Sequence, residues 1–471
     1  MRPLLRSAAL AVLVALTGVA DAQPVRRTSP GRPAPVVRAA SGAPTIAAGP
    51  MNGYTLHREV AVWVQTTAAA RVQIRYWNEA APAVRTTTPA VDATADEAFA
   101  AHVVIDGLEP GTTYGYEVLV NGRAVARPYA PRFSTQPLWQ WRTDPPAFTF
   151  ALGSCAYVNE PAVDRPGTPY GKDPAIFRSI AALRPAFMLW MGDNTYLREV
   201  DWWSERGMNR RYAHTRALPE MQPLLGTTHH YATWDDHDFG PNDADRSWVL
   251  KREALDVFKR YWANVSYGMP GVDGVFGQFE HGDAAFFLLD DRYHRAPNDA
   301  PDGPDKTMFG RAQIDWLLDA LTVSRAPFKF VVAGGQVVNP VPVYETMATF
   351  PTERQYLLDE LARRRISGVV FLTGDRHMTE LQRLDRPDGP PLYDFTSSAL
   401  TAGSARPAPQ ERDSPTRVPG TLVEGENNYG TVTLDGPRTD RTATLRTYAV
   451  DGTLKWEVKI RAADLAWPAA R

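Results

Sequence analysis

The chain has 471 residues, 44% of them hydrophobic, and sets 51 lysines and arginines against 53 acidic residues for a net charge of −2. That length exceeds what one hydrophobic core usually serves and predicts two domains, while the balanced charge argues against a nucleic-acid duplex surface and gives no membrane-surface signal. Cys155 is the single cysteine, which excludes an intramolecular disulfide and leaves stability to cores and bound ions.

Residues 1–22 read as a secretory signal. Arg2 and Arg6 precede an apolar run at 8–20, and Ala20 and Ala22 stand before an expected cut ahead of Gln23. The run is too short for a membrane span, which takes roughly 18 apolar residues, and no later segment reaches that length. A periplasmic or secreted product is expected. In this leader Arg26-Arg27 come after the apolar run, an order that favours general over twin-arginine export. Residues 23–44, rich in Pro, Ala, Arg and Ser, read as a flexible linker.

Residues 45–138 carry short alternating runs at 59–65, 70–77, 102–105 and 114–120, parted by turn signals such as Asn121-Gly122, the pattern of a small β-sandwich. Leu108-Glu109-Pro110-Gly111-Thr112-Thr113-Tyr114-Gly115-Tyr116 resembles the turn-and-strand signature of fibronectin-type-III-like modules. From 146 to 465 the texture changes. Apolar runs at 148–152, 187–191, 284–289, 328–333 and 368–372 alternate with helical stretches at 174–183, 248–262, 311–322 and 352–365, where Ile314, Leu317, Leu318 and Leu321 keep helical spacing. Runs at 430–434, 442–450 and 453–460 end the chain, with a hairpin around Asp451-Gly452. An α/β catalytic domain is predicted, and in such domains ligands bind beyond the carboxyl ends of strands.

Four segments at such ends carry a glycine or a tight turn followed by metal-type ligands. They are Gly153-Ser154-Cys155, Gly192-Asp193-Asn194-Thr195-Tyr196, Trp234-Asp235-Asp236-His237-Asp238-Phe239-Gly240-Pro241-Asn242-Asp243 and Gly374-Asp375-Arg376-His377. The third holds four carboxylates, three of them between Trp234 and Phe239, which is unlike a solvated acidic run. A phenol such as Tyr196 binds a divalent ion poorly at neutral pH, whereas iron(III) lowers its pKa enough to bind phenolate; the bland alternative is a turn aspartate beside a partly buried tyrosine. Cys155 is either a buried small apolar residue or, in an oxidising compartment, a thiol retained as a metal-bound thiolate. Alternation sends Asp235 and Asp236 to different sides unless the chain turns, so one would bind metal and the other orient a neighbour. Asn242 and Asp243 offer oxygens suited to a hard cation such as calcium, and Asp375 and His377, two apart, form a chelating pair.

In this order, behind a small β-domain and over most of residues 45–460, the four motifs resemble the PhoD-type alkaline phosphatases of the metallophosphoesterase superfamily. The resemblance implies a four-layer α/β/β/α sandwich containing an iron(III) site of thiolate and phenolate character, plus calcium or another divalent ion. By it Cys155, Asp193 and Tyr196 surround iron, and Asp236 or Asp235, Asp375 and His377 complete the cluster, with Asp193 as the bridging ligand. The stretch 238–243 departs from the commoner family form, which carries glutamate and a closer asparagine; Asn242 is carried as a ligand.

The residue chemistry points independently to hydrolysis of a phosphate ester by metal-activated water. His237 would protonate the leaving oxygen or orient the phosphate, and Arg292, Arg295 or Arg376 would steady its equatorial oxygens. Arg292 lies in Leu288-Leu289-Asp290-Asp291-Arg292, where an Asp–Arg structural pair is the other reading; Gln336 would line the site or complete a loop. The expected product is an exported phosphoesterase that takes small phosphate esters and releases inorganic phosphate. Two alternatives stand beside it. Phosphodiesterase or phospholipase-like action on the same cluster would be decided by loops at 202–216 and 295–308. A metal-stapled, non-catalytic binding protein is disfavoured by the histidine and arginine beside the ligands, since structural sites are saturated by ligands.

Overall fold

The structure, a computed structural model, describes residues 42–468. The expected signal at 1–22 and the linker as far as residue 41 lie outside the described residues. Near the amino-terminal side, alternation builds a sandwich. Val60, Val62 and Val64 of the strand Val60–Thr66 share one buried cluster with Val72 and Ile74 of Ala70–Asn78 and with Val118 and Val120 of Thr113–Val120.

One sheet of this sandwich continues into the rest of the molecule. The strand Ile46–Thr55 runs parallel to His229–Thr233, with Asn52 opposite His229. Side chains of the second strand fasten the join, His229 Nδ1 lying 2.8 Å from the Gly53 carbonyl and the Tyr231 hydroxyl accepting the Thr55 N–H at 3.1 Å. Asn52 ties its strand to the facing sheet of the sandwich by donating to the Arg132 carbonyl and accepting the Tyr116 hydroxyl, both at 2.7 Å. The result is a nine-stranded sheet in which Phe148–Gly153, Phe187–Met191 and His229–Thr233 lie parallel at the centre. A six-stranded sheet faces it, with Ala284–Leu288, Phe328–Val332, Val369–Thr373 and Gly389–Thr396 parallel.

Alternation along these strands sorts their side chains into three layers of core. Phe150, Leu152, Phe187, Leu189 and Met191 of the first sheet meet Phe286, Leu288, Phe330 and Val332 of the second. Their neighbours Ala151, Met188 and Trp190 turn to the helices Ala175–Ala182 and Lys251–Tyr261. Ala285, Phe287 and Val331 turn the other way, to Arg311–Val323 and Pro351–Arg363. Helix, sheet, sheet and helix follow in order, each fully buried phenylalanine contributing about 1.5–3 kcal/mol. Because the central strands of both sheets are parallel, their carboxyl ends gather at one edge.

Residues 202–216, expected as a loop, are mostly a helix, Glu205–Arg216, capped by Ser204, whose side chain accepts the Gly207 N–H. Its buried face includes Arg211, paired with Asp201 at 2.7 Å, and Arg216, whose guanidinium lies 3.7 Å over the Trp262 ring. Arginines on the inner face disguise the helical periodicity. The hairpin Glu380–Arg386 and Gly389–Thr396 is also unforeseen, its second strand opening with Gly389-Pro390-Pro391.

The His230 ring is fully buried, where Trp190 Nε1 donates to its Nδ1 at 2.9 Å and its Nε2 meets the Leu224 carbonyl at 3.2 Å. These partners fix the neutral tautomer, and burial lowers its pKa to about 3. The unfolded chain protonates this ring near pH 6.5 and the folded chain does not, so stability falls as pH drops below that value. Urea unfolding at pH 6.5 and 4.5 should show the native protein losing roughly 2 kcal/mol more than His230→Gln. Parallel losses in the two proteins would contradict the assignment.

Candidate metal centre

The site is assembled where the parallel strands end. Cys155 follows Phe148–Gly153, Asp193 follows Phe187–Met191, Asp235 follows His229–Thr233 and Asp375 follows Val369–Thr373. Cys155, Asp193, Asp375 and His377 adopt left-handed backbone, with φ of 60°, 53°, 64° and 53°. Each such residue costs of order 1–3 kcal/mol, and strain held in this way clusters at functional sites. Local bonds hold it in place: the Ala156 N–H donates to the Asp193 carbonyl at 2.8 Å, and the His377 N–H to Ser398 Oγ at 3.0 Å. Two glycines permit the strand ends to close up. A Cβ on Gly192 would stand 2.5 Å from that of Asp235, and one on Gly374 2.6 Å from the Met191 carbonyl.

Three overlapping groups of donor atoms result, the atoms of each lying within 4.8 Å of one another: Cys155, Asp193 and His377; Asp193, Asp236 and His237; Asp235, Asp236 and Glu345. Asp193 and Asp236 link the groups. Asp193 accepts the His237 N–H at 3.2 Å, and its Oδ2 lies 3.6 Å from Cys155 Sγ, which also receives the Ser398 hydroxyl at 3.1 Å. The Tyr196 hydroxyl is 3.2 Å from His377 Nε2, and its ring lies 4.1 Å from that of His237. The chain does turn between the paired acids. Asp235 caps the short helix Asp236–Phe239, while Asp236 accepts the N–H groups of His237 at 2.8 Å and Asp243 at 2.7 Å.

Not every expected residue joins a group. Asp375 lines the same cleft, of about 390 Å³, without belonging to one of these groups, and exposed Asn242 lines it as well. Arg376 also lines it, though its guanidinium donates to Gln336 at 2.6 Å and Glu411 at 2.5 Å. Gln336 is turned inward to bond Glu380 and Thr396. Arg292 and Arg295, expected on phosphate oxygens, are fully buried and engaged elsewhere. Arg292 binds Asp235 at 2.5 Å and Glu345 at 2.6 and 3.1 Å, and Arg295 binds Glu345 at 3.0 Å. An arginine so enclosed positions carboxylates and does not reach a substrate.

Three contributors escaped sequence reasoning. Glu345 arrives from a loop with no strand or motif beside it. Asp238 sits inside the acidic motif, yet its carboxylate is an internal anchor, accepting the N–H groups of Asn194, Thr195 and Asp235 at 3.1–3.2 Å. Arg406 lines the cleft, is exposed and makes no ion pair among the described residues; only its position in space marks it.

Electrostatics shows that the donor set fits cations. Burial raises Asp193 well above the usual carboxylate range, helped by Asp236 and Cys155, whereas Asp236 is held below it because His237, Arg292 and the Asp243 amide outweigh its burial. Burial, reinforced by Asp375, pushes the Cys155 thiol up to about 12, burial raises Asp375 to about 6, and burial followed by Asp193 raises the Tyr196 phenol further above its ordinary value. Asp235 Oδ2 and His237 Nδ1 are buried without hydrogen-bond partners. A thiol and a phenol pushed up by burial, crowded with carboxylates around acceptors that lack partners, are what a cation would discharge and ligate.

Comparison with known proteins agrees with this geometry. The family model for PhoD-like phosphatases matches residues 150–444, and that of a domain of unknown function, DUF7800, matches 43–138. Alkaline phosphatase D of Bacillus subtilis (strain 168) is 22% identical over 329 residues, 59% of this chain and 53% of that protein, so the chain spans about half the length of the curated relative it matches. A solved structure of PhoD superposes with a TM-score of 0.72 at 18% identity, covering 89% of this chain and 92% of the other. Purple acid phosphatase PPD1 from yellow lupin seeds gives 0.64 at 12% identity, covering 90% and 75%. Both likenesses place the fold among the metallophosphoesterase-like sandwiches. With a family match running from the strand before Cys155 into the carboxyl-terminal strands, the chain belongs to the PhoD-like phosphatase family.

Proposed function

We propose that this protein is an exported, metal-dependent hydrolase of phosphate esters. The observation that carries the reading is the pair Asp193 and Asp236, which links three donor groups on the floor of an open cleft. Cys155, Asp193, Tyr196 and His377 would hold iron(III), and Asp236, with Asp193 shared and Asp235, Asp375, Asn242 and Glu345 around it, would hold calcium or another divalent ion. Such a pair, when bound, supplies Lewis acidity toward a phosphoryl oxygen and lowers the pKa of water. Hydrolysis joins one water oxygen to phosphorus and breaks the ester P–O bond, and the leaving oxygen needs a proton. His237 stands in the cleft wall and is the residue placed to pass that proton. Arg406 and Arg376 place positive charge at the cleft for the phosphoryl group. Export rests on the leader at 1–22.

An aryl phosphate monoester and a bis-aryl diester, assayed on protein prepared with iron and calcium and again after chelation, test the reading. Turnover of at least one ester, lost on chelation and regained with metal, is expected. No turnover by protein that retains its metals would leave only a binding role for the cluster.

A further inference from the structure

Beside the metal cleft lies a second chamber of about 330 Å³, and Tyr170, His237 and Asn242 line both. It is the more aromatic of the two, although Asp164 and Arg198, paired with each other at 2.9 Å, also line it. Tyr157 meets Tyr170 edge-on with ring centroids 4.9 Å apart and Tyr196 at a tilt at 5.1 Å, giving an aromatic wall in which the Arg198 guanidinium lies 4.0 Å over the Tyr157 ring. Val163, Leu197 and Trp202 add apolar surface, and the Trp202 indole nitrogen is buried without a hydrogen-bond partner. Arg165 and Glu199 stand exposed at the rim, neither in an ion pair among the described residues.

We propose that this chamber is the leaving-group subsite and that it selects phosphate esters whose alcohol carries a planar aromatic ring with polar edges. The inference rests on the phosphoesterase reading and deepens it. A phosphoryl group held among the charged residues of the cleft directs one ester oxygen at the shared wall, and the organic group beyond that oxygen enters the aromatic chamber. Ligand pockets begin near about 300 Å³, so this volume suits one ring system better than an extended chain. The exposed Tyr170 ring can pack on such a ring, while Arg165 and Glu199 can meet polar atoms on its edge.

Phosphonates isolate binding from leaving-group basicity, because their P–C bond is not hydrolysed. Inhibition of the metal-loaded protein by naphthylmethylphosphonate should be roughly tenfold or more tighter than by methylphosphonate, the ratio one aromatic stacking contact carries. Val163→Trp, which fills the chamber from a partly exposed position, and Trp202→Ala should each bring that ratio below about threefold and leave methylphosphonate inhibition within about twofold of its original value. Equal inhibition by the two compounds, or a preference that survives Val163→Trp, overturns the subsite. Calorimetric titration with the same two compounds separates the failures. Protein that turns over no ester yet keeps the tenfold preference loses the phosphoesterase reading and with it the leaving-group role, keeping only an aromatic binding chamber, and turnover without the preference overturns the subsite alone.

Discussion

Asp193→Asn should lower kcat/KM for phosphate esters by at least about 1,000-fold, with loss of bound metal and with little change in fold. Asp193 is the one residue common to the thiol-containing donor group and the His237 group, so its carboxylate serves both ends of the cluster. The amide keeps the shape and one acceptor oxygen for the His237 N–H, but removes the negative charge that a bridging ligand needs. Metal analysis should therefore show both ions depleted, with far-ultraviolet circular dichroism unchanged. Full metal content with normal turnover would remove Asp193 from the centre. Retention of a single ion would restrict it to one end.

Arg292→Met should destabilise the protein by about 3–5 kcal/mol, the usual cost of stripping one partner from a buried ion network. The Arg292 guanidinium is enclosed, and it bonds Asp235 and Glu345, two buried carboxylates that would otherwise face each other with Asp236 and Asp291 close by. A Gly334 Cβ would come within 2.5 Å of the Asp235 carboxyl carbon, so the site has no slack in which these acids could swing apart. Removing the charge of one acid should relieve the loss. Arg292→Met combined with Glu345→Gln is expected to recover more than half of it in urea unfolding, as coupled neighbours are not additive. An additive double variant would show that the arginine acts through packing alone.

The four strand-end motifs were legible because ligand and turn are local. Glycine, carboxylate or thiol, and the apolar run before them lie within a few residues, and a parallel sheet brings such ends together without further information. Layer order was legible in outline from the alternation of apolar runs with helical stretches. What the strands pair with was not. Ile46–Thr55 joins His229–Thr233 with help from His229 against the Gly53 carbonyl and the Thr55 N–H on the Tyr231 hydroxyl, contacts 176 residues apart in sequence. The helix Glu205–Arg216 was hidden because its inner face carries Arg211 and Arg216, which are buried by an ion pair and an aromatic ring that sequence does not display. Arg292 shows the same limit at the site. An arginine next to Asp290 and Asp291 is equally consistent with gripping phosphate or with holding carboxylates, and the choice depends on Glu345, which enters from 53 residues away. Asp238 looks like a fourth ligand in the acidic run, yet the N–H groups that surround it belong to the turn after Phe187–Met191 and to its own helix cap.

The most direct test of the account is the metal content and visible spectrum of protein purified with iron and calcium available, taken for the native chain and for Tyr196→Phe. If thiolate, phenolate and the linked carboxylates hold iron(III) beside a divalent ion, the native protein contains both metals and absorbs visibly through charge transfer from the phenolate, and the variant loses that absorption. A colourless, fully active native protein containing zinc alone would contradict the account.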